Sequence, residues 1–474
     1  MNLPAITSSV FAFVDYILLI YMLAVIFAYT SMLIIAFTQL MKERKLQKNL
    51  SDEEAVDFIY TQPVTIIVPA YNEQEGVLGN IYSLLALQYP QFEILVVNDG
   101  STDNTEDIVI EHFNMKPIRK VVNQQLATQP IEAMYQSVMH PNLLLITKVN
   151  GGKADALNVG INVSQYPYFC SIDGDSILDR NSLLRVMKPI MESNKEVIAT
   201  GGNVRIANGY EIQMGQVVRE GLPDSAVVRM QIIEYMRAFL MGRMALSKFN
   251  LVLIISGAFS VFSKKWVLQA GGYARNTVGE DMELVVKLHE ELADRKEDKE
   301  IVFTPDPVCW TEAPDSFKDL RTQRRRWHQG LAESLWLHKK MAFNPKYGTV
   351  GLLSIPYFLF IELLGPLIEL AGYAYIVLSF FMGEVYIAFA AILGLLFILY
   401  GSLFSMTSVL LEAWSRNTYP KINDLLRLVL LSLTEVFWYR PLTLFWRAEG
   451  IIRALRGKRD WGHIKRTGLS EERK

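Results

Sequence analysis

Apolar positions along the 474 residues gather in blocks at the two ends, with a mixed stretch between them. Residues 11–40, FAFVDYILLIYMLAVIFAYTSMLIIAFTQL, form one block longer than the roughly 20 apolar residues with which a helix crosses a bilayer. It is too long for a signal-peptide core and carries no small-residue cleavage site, so it predicts a retained transmembrane helix. The lysines and arginine of MKERKLQK, 41–48, belong on the cytoplasmic side, which puts the next segment inside the cell. From Gly348 the apolar runs return, at 349–382, 385–411 and 425–446. The first two predict membrane spans. Arg427, Glu435 and Arg440 interrupt the third, which predicts either a span or a hairpin lying in the interface. The basic stretch RALRGKRDWGHIKR, 453–466, suits the cytoplasm, which requires an even number of later crossings and favours the hairpin.

Between the blocks the pattern changes period. VTIIVPAYNE (64–73) is an apolar run ending in Pro and polar residues, EGVLGNIYSLLALQ has helical spacing, and FEILVVNDGSTDNT (92–105) is a second apolar run. Strand, helix, strand, with strands apolar on both faces, predicts an α/β domain around a mostly parallel sheet. Such sheets bind ligands beyond the carboxyl ends of their strands. Polar clusters stand there three times: Tyr71-Asn72-Glu73, Asn98-Asp99-Gly100-Ser101 and Asp173-Gly174-Asp175. One cluster is a turn; three on one edge predict a site.

Composition narrows the picture. With a net charge of −2, nothing marks the chain as a general nucleic-acid binder. Cys170 and Cys309 read as small core hydrophobes of a reduced compartment, and the histidines show no zinc-ligand spacing. The length calls for more than one structural part. The expected parts are 1–48, a transmembrane helix with its basic flank; 49–345, a cytosolic domain with interfacial helices; 346–452, transmembrane and interfacial helices; and 453–474, a basic cytosolic tail. Asp173 and Asp175 can share a divalent cation, which removes their repulsion and leaves positions for phosphate oxygens. The plain alternative is that Asp173 caps a turn and Asp175 caps a following helix, SILDRNSLLRVMKPI.

VPAYNE, VVNDGSTDNT, NGGKADALNVGI, SIDGDS, VGEDMELVVKLH and QRRRW occur in the order found in membrane-bound, processive family 2 glycosyltransferases. The chain resembles these relatives of cellulose, hyaluronan, chitin and poly-N-acetylglucosamine synthases from about residue 62 to 330. The resemblance implies a cytosolic GT-A (nucleotide-diphospho-sugar transferase) domain flanked by transmembrane helices, in a multi-pass protein of the plasma (inner) membrane. It implies nucleotide contacts from Tyr71, Glu73, Asp99, Lys153, Asp173 and Arg326, with Tyr71 stacking on uracil and Asp99 accepting from the uracil N–H. It implies Mg2+ or Mn2+ held by Asp173 and Asp175, and Asp281 as the base that deprotonates the acceptor hydroxyl. Acceptor contacts are implied for Ser256, Gly257, Glu280, Gln323 and Trp327.

The residues can be read beside the resemblance. Glycines before Lys153 and a helix-like segment after it suit a phosphate or nucleotide contact, with a solvated lysine as the bland alternative. Glu280 and Asp281 also suit the acidic first turn of a helix, and both readings can hold together. On a helix Gln323, Arg326 and Trp327 share a face, where Arg326 can pair with a diphosphate. The alternative, an interfacial helix whose Trp and Arg anchor at lipid headgroups, is compatible with this position, but Gln323 favours the site. His328 reads as a polar bystander. Gly279 stands where cellulose synthases have Thr, without evident cost to the chemistry, and SGAFSVF (256–262) lacks their Phe-Cys-Gly pattern, which leaves glucose specificity open. Glu362 and Glu369 lie two helical turns apart in an apolar run, so they line a polymer path or pair with a nearby base. Trp461 in RDWGHIKR is similar to a nucleotide-covering gating loop, or belongs to a plain basic tail.

The expectation is an inverting, processive transferase. It would polymerise UDP-glucose or UDP-N-acetylglucosamine into a β-linked polysaccharide and pass the chain through the membrane. Its partners would be the donor, the growing polymer, lipid and a candidate accessory export subunit, with no nucleic acid. The alternatives are a non-processive enzyme acting on a lipid acceptor and an inactive scaffold.

Overall fold

A computed structural model describes residues 3–47, 61–382, 387–416 and 421–458, so Trp461 and most of the basic tail lie outside the described residues. Ten strands form one sheet. They are β1 (Val64–Ala70), β2 (Phe92–Asn98), β3 (Met115–Pro117), β4 (Ile131–Ser137), β5 (Leu143–Lys148), β6 (Tyr168–Ser171), β7 (Ile177–Leu178), β8 (Val197–Ile206), β11 (Ser260–Ser263) and β12 (Glu300–Thr311), while β9 (Glu211–Gln213) and β10 (Gln216–Arg219) make a separate hairpin. Across the large sheet the order is β3-β4-β5-β2-β1-β6-β11-β8-β12-β7. Its centre is parallel, β5-β2-β1-β6, and so is the β8–β12 pair. β11 runs antiparallel between β6 and β8, and both edges are antiparallel, which makes the sheet mixed around a parallel core.

Register explains the recurring polar clusters. Ala70 pairs with Asn98, and Ile67 with Ser171, so Tyr71, Asp99 and Asp173 all leave the sheet at one edge. The strands beneath them are almost wholly buried, as runs apolar on both faces require. Cys170 and Cys309 are free, buried thiols. Asp175 does not cap a helix: after it the chain forms β7, and the next helix begins at Ser182 with Asn181 at its N-cap. Asp173 does sit at a turn, its carbonyl accepting from Ser176 N–H at 3.0 Å.

Among the described residues two helices are long and apolar enough to cross a membrane, Phe13–Lys42 and Val350–Leu378. The second is not one regular helix. Wider π-helical turns at Val350–Ser354 and Phe358–Leu363 precede an α-helix at Gly365–Met382, and Pro356 and Pro366 lie in this stretch, where they withhold backbone donors. The run 385–411 forms the helix Ile387–Arg416. The third run folds as Ile422–Phe437 and Tyr439–Leu455, bent by 56° in the manner of a broken span or re-entrant loop. Its charges are paired. Arg440 holds Glu369 through two bonds of 3.0 and 2.8 Å, and Arg237 holds Glu435 at 2.9 Å. Glu369 thus takes the ion-pair alternative, while Glu362 accepts from Tyr357 Oη at 2.6 Å. Both acids border a cavity of about 100 Å³ among the apolar helices. The sheet's core is continuous with Ala36 and Leu40 of the N-terminal helix, which ties the two regions together.

Candidate active site

One cavity of about 1190 Å³ opens beyond the carboxyl edge of the sheet. Lys153, Asp173, Asp175, Ser256, Gly257, Glu280, Asp281, Gln323, Arg326 and Trp327 all line it. Five different chain segments deliver them. The loop after β6 supplies the two aspartates, and the helix Lys153–Val163 begins at its lysine, after Gly152 at φ 88°. The residues before β11 supply Ser256 and Gly257, outside the strand itself. The helices Glu280–Arg295 and Phe317–Leu337 supply the rest.

Lys153 is the electrostatic centre. Its ammonium lies 2.5 Å from Asp173 Oδ1 and 3.3 Å from Glu280 Oε1. Burial disfavours its charge, but Asp173, Glu280 and Asp281 together outweigh burial and raise its pKa above the ordinary lysine value. Glu280 is buried, and desolvation, helped by Asp281, raises its carboxyl against the pull of Lys153. Asp281 has a different setting. Its Oδ2 accepts from Gly257 N–H at 3.1 Å and its Oδ1 from Met282 N–H at 2.8 Å, at the first turn of its helix. A Cβ on Gly257 would stand 3.0 Å from Lys153 Nζ and 3.4 Å from Asp281 Oδ2, so glycine lets the loop close on both groups.

Asp173 and Asp175 present hard oxygen donors, the type that Mg2+ and Mn2+ take. Among the described residues no group of three or more His, Cys, Asp and Glu is arranged to hold a metal ion. The pair therefore fits a cation that completes its shell from phosphate oxygens and water, which is how Mg2+ is commonly held.

Tyr71, Glu73 and Asp99 do not line the cavity; they stand along the same sheet edge. Tyr71 is 44% exposed, with its ring open to a stacking partner. Asp99 is only 3% exposed and is already engaged: Lys148 donates to Oδ1, Gly151 N–H to Oδ1 at 3.0 Å and Gly152 N–H to Oδ2 at 2.7 Å. Asp99 thus fixes the loop that delivers Lys153, and any further acceptance uses a remaining lone pair. Sequence reasoning missed Lys148, which stands two residues before NGGKADALNVGI and whose partner Asp99 lies 49 residues earlier.

The QRRRW helix divides its arginines. Arg326 faces the cavity with Gln323 and Trp327, as helical spacing predicts. Arg324 is 1% exposed and turns inward, donating to Glu234 Oε2 at 2.7 Å while its guanidinium lies 4.3 Å from the Trp327 ring centroid. His328 is buried with its ring 3.4 Å from the Leu363 carbonyl, and desolvation drops its pKa to about 3, so it is a neutral packing group.

Gly279 gains a reason here. A Cβ on it would sit 2.7 Å from Gly330 Cα, and the reverse substitution meets Gly279 Cα at the same distance. Two glycines let the helix carrying Trp327 cross directly over the helix carrying Asp281. Gly330→Ala should force these backbones apart, with a cost of about 1–3 kcal/mol. A lowered thermal midpoint together with slower transfer is the expected result; an unchanged midpoint would remove the close approach as the reason for glycine.

The family model described as "Glycosyltransferase like family 2" matches residues 62–330. Poly-beta-1,6-N-acetyl-D-glucosamine synthase of Staphylococcus epidermidis is 29% identical over 272 residues, which are 57% of this chain and 55% of that protein. The protein of the same name from Staphylococcus aureus (strain COL) is 28% identical over 294 residues, 62% of this chain and 60% of that one. The matched region thus spans little more than half the length of these curated relatives. Mannosyltransferase PcManGT from Pyrobaculum calidifontis, solved with GDP-Man and Mn2+, shares the fold at a TM-score of 0.50 and 18% identity, covering 88% of this chain and 99% of that one.

Proposed function

The chain belongs to the family 2 glycosyltransferases, and from that premise we propose that it is an inverting polymerase that builds a β-linked polysaccharide from a UDP-sugar, UDP-N-acetylglucosamine before UDP-glucose. One observation carries the reading: a single cavity gathers Asp173 and Asp175, the cations Lys153 and Arg326, and Asp281 with Trp327. The names of the staphylococcal relatives favour the N-acetylated sugar. The protein would be a multi-pass membrane protein with this site in the cytoplasm, the polymer leaving between its apolar helices.

In this mechanism Tyr71 and the Asp99 loop hold the nucleotide, and Trp327 offers its ring to the acceptor sugar. Asp281 takes the proton of the acceptor hydroxyl as that oxygen bonds to C1 of the donor sugar. The C1–O bond to the diphosphate breaks on the opposite side, and the configuration inverts. Charge developing on the diphosphate meets Arg326 and Lys153. Asp173 and Asp175 would hold Mg2+ or Mn2+, which when bound supplies further Lewis-acid stabilisation of the leaving diphosphate. Lys153, now on Asp173, would then be shared between that carboxylate and phosphate oxygens.

The test is to incubate membranes carrying the protein with single UDP-sugars and Mg2+ or Mn2+, then identify the product. A polymer of N-acetylglucosamine, abolished by EDTA and restored by the cation, is expected. One sugar on a lipid would replace the polymerase reading with the lipid-acceptor alternative. No turnover of any UDP-sugar would leave the scaffold.

A further inference from the structure

Arg243 lies at the end of a π-helical segment, Met236–Arg243, a geometry frequent at functional sites. Its side chain lines the catalytic cavity, with the guanidinium carbon 3.7 Å from the Phe239 ring centroid. Its Nη1 is sealed from solvent and has no hydrogen-bond partner, and no described residue forms an ion pair with the guanidinium. Stacking on Phe239 offsets part of the cost of burying this charge but satisfies none of its N–H groups. The carboxylate whose field reaches it is Asp281, the proposed base.

We infer that Arg243 binds the acceptor: its guanidinium donates to an uncharged oxygen of the acceptor sugar, a hydroxyl or an amide carbonyl, and holds the attacking hydroxyl beside Asp281. The inference rests on the proposed function, which makes Asp281 the base, and extends it to the residue that positions the acceptor. An uncharged oxygen is the fitting partner because Asp281, the carboxylate whose field reaches Arg243, repels an anionic acceptor. Burial lowers the guanidinium pKa to about 10, with Asp281 and Tyr235 opposing, so the fork stays charged at neutral pH. Phe239 fixes its plane, and the planar fork loses little freedom on binding.

The experiment uses full-length protein in lipid nanodiscs, with R243M and R243Q beside wild type. UDP affinity is measured by calorimetry, and transfer is measured to a defined N-acetylglucosamine oligosaccharide at varied concentration. R243M is expected to raise the acceptor KM roughly 10- to 100-fold, the scale of a lost charged hydrogen bond, with UDP affinity within about twofold of wild type. R243Q, which keeps neutral donors on a shorter arm, should fall between; if R243M does not fold, R243Q alone must show the acceptor-selective rise. An acceptor KM equal to wild type overturns the inference. So does a parallel loss of UDP affinity, which would make Arg243 a phosphate ligand or a structural post. If wild type turns over no UDP-sugar, the functional reading fails separately. Oligosaccharide binding in the presence of UDP then decides the Arg243 inference, which requires at least tenfold weaker binding by R243M.

Discussion

Asp281→Asn should lower sugar transfer by about 10²- to 10⁴-fold, the range over which a positioned general base contributes. The expectation follows from how the carboxylate is held. Both of its oxygens accept a backbone N–H, from Gly257 and from Met282, so its position is set by the chain rather than by another side chain. Asparagine keeps the shape but cannot take the proton. Its amide nitrogen must also face one of those two donors, which loosens the 257 loop as well. A loosened loop alone would act mainly through the acceptor KM, because Gly257 and Trp327 share the cavity. Loss of the base acts on kcat. Steady-state transfer with both substrates varied, alongside UDP affinity, separates the two. A kcat collapse with UDP affinity retained is the expected pattern; full-speed transfer by a folded Asp281→Asn protein would falsify the assignment of the base.

How much of this was legible in the sequence depends on range. β1 and β2 were readable because both faces are covered, which leaves apolar runs that end abruptly in polar residues. That Tyr71, Asp99 and Asp173 share an edge also follows from the pattern, since parallel strands put their carboxyl ends together. The partition of QRRRW followed helical spacing as far as Gln323, Arg326 and Trp327. The inward turn of Arg324 depends on Glu234, ninety residues earlier, and no local pattern encodes it.

Lys148 was hidden for the same reason, as the last residue of a buried strand paired with Asp99 across two loops. Gly279 seemed a harmless departure because its neighbour, Gly330, lies on another helix. Glu234, Arg237 and Arg243 carried one available signal. They are charges inside the otherwise apolar QIIEYMRAFLMGR, where a stable helix tolerates charge only if it meets a partner or a polar cavity. The π-helical stretch blurs the 3.6-residue period that would have assigned their faces.

Glu234 carries the largest expected effect on stability. Its Oε2 accepts from Arg324 at 2.7 Å and from Tyr439 Oη at 2.7 Å, and its Oε1 from Arg447 at 3.0 Å. Three segments meet there: the helix Ala226–Tyr235, the QRRRW helix and the C-terminal helix Tyr439–Leu455. Burial alone would raise the carboxyl, but Arg324, Arg447 and the Tyr439 hydroxyl outweigh it and hold the pKa at about 2. Glu234→Gln leaves Arg324 buried with no counter-charge, and breaking a buried pair this way costs about 3–5 kcal/mol. Because the folded pKa lies below the unfolded one, the carboxylate's contribution is complete above about 4.5 and fades as pH falls toward 2. The wild-type thermal midpoint should therefore drop across that window, and the Glu234→Gln midpoint, already low at neutral pH, should lose this part of the slope. Adding Arg324→Met to Glu234→Gln removes the stranded charge and should recover part of the loss, a coupling that a double-mutant cycle measures directly. Recovered stability without recovered transfer would show that Arg324 also steadies Trp327, on whose ring its guanidinium lies. Additive midpoint losses in the double variant would instead show that Glu234 and Arg324 do not act as a pair.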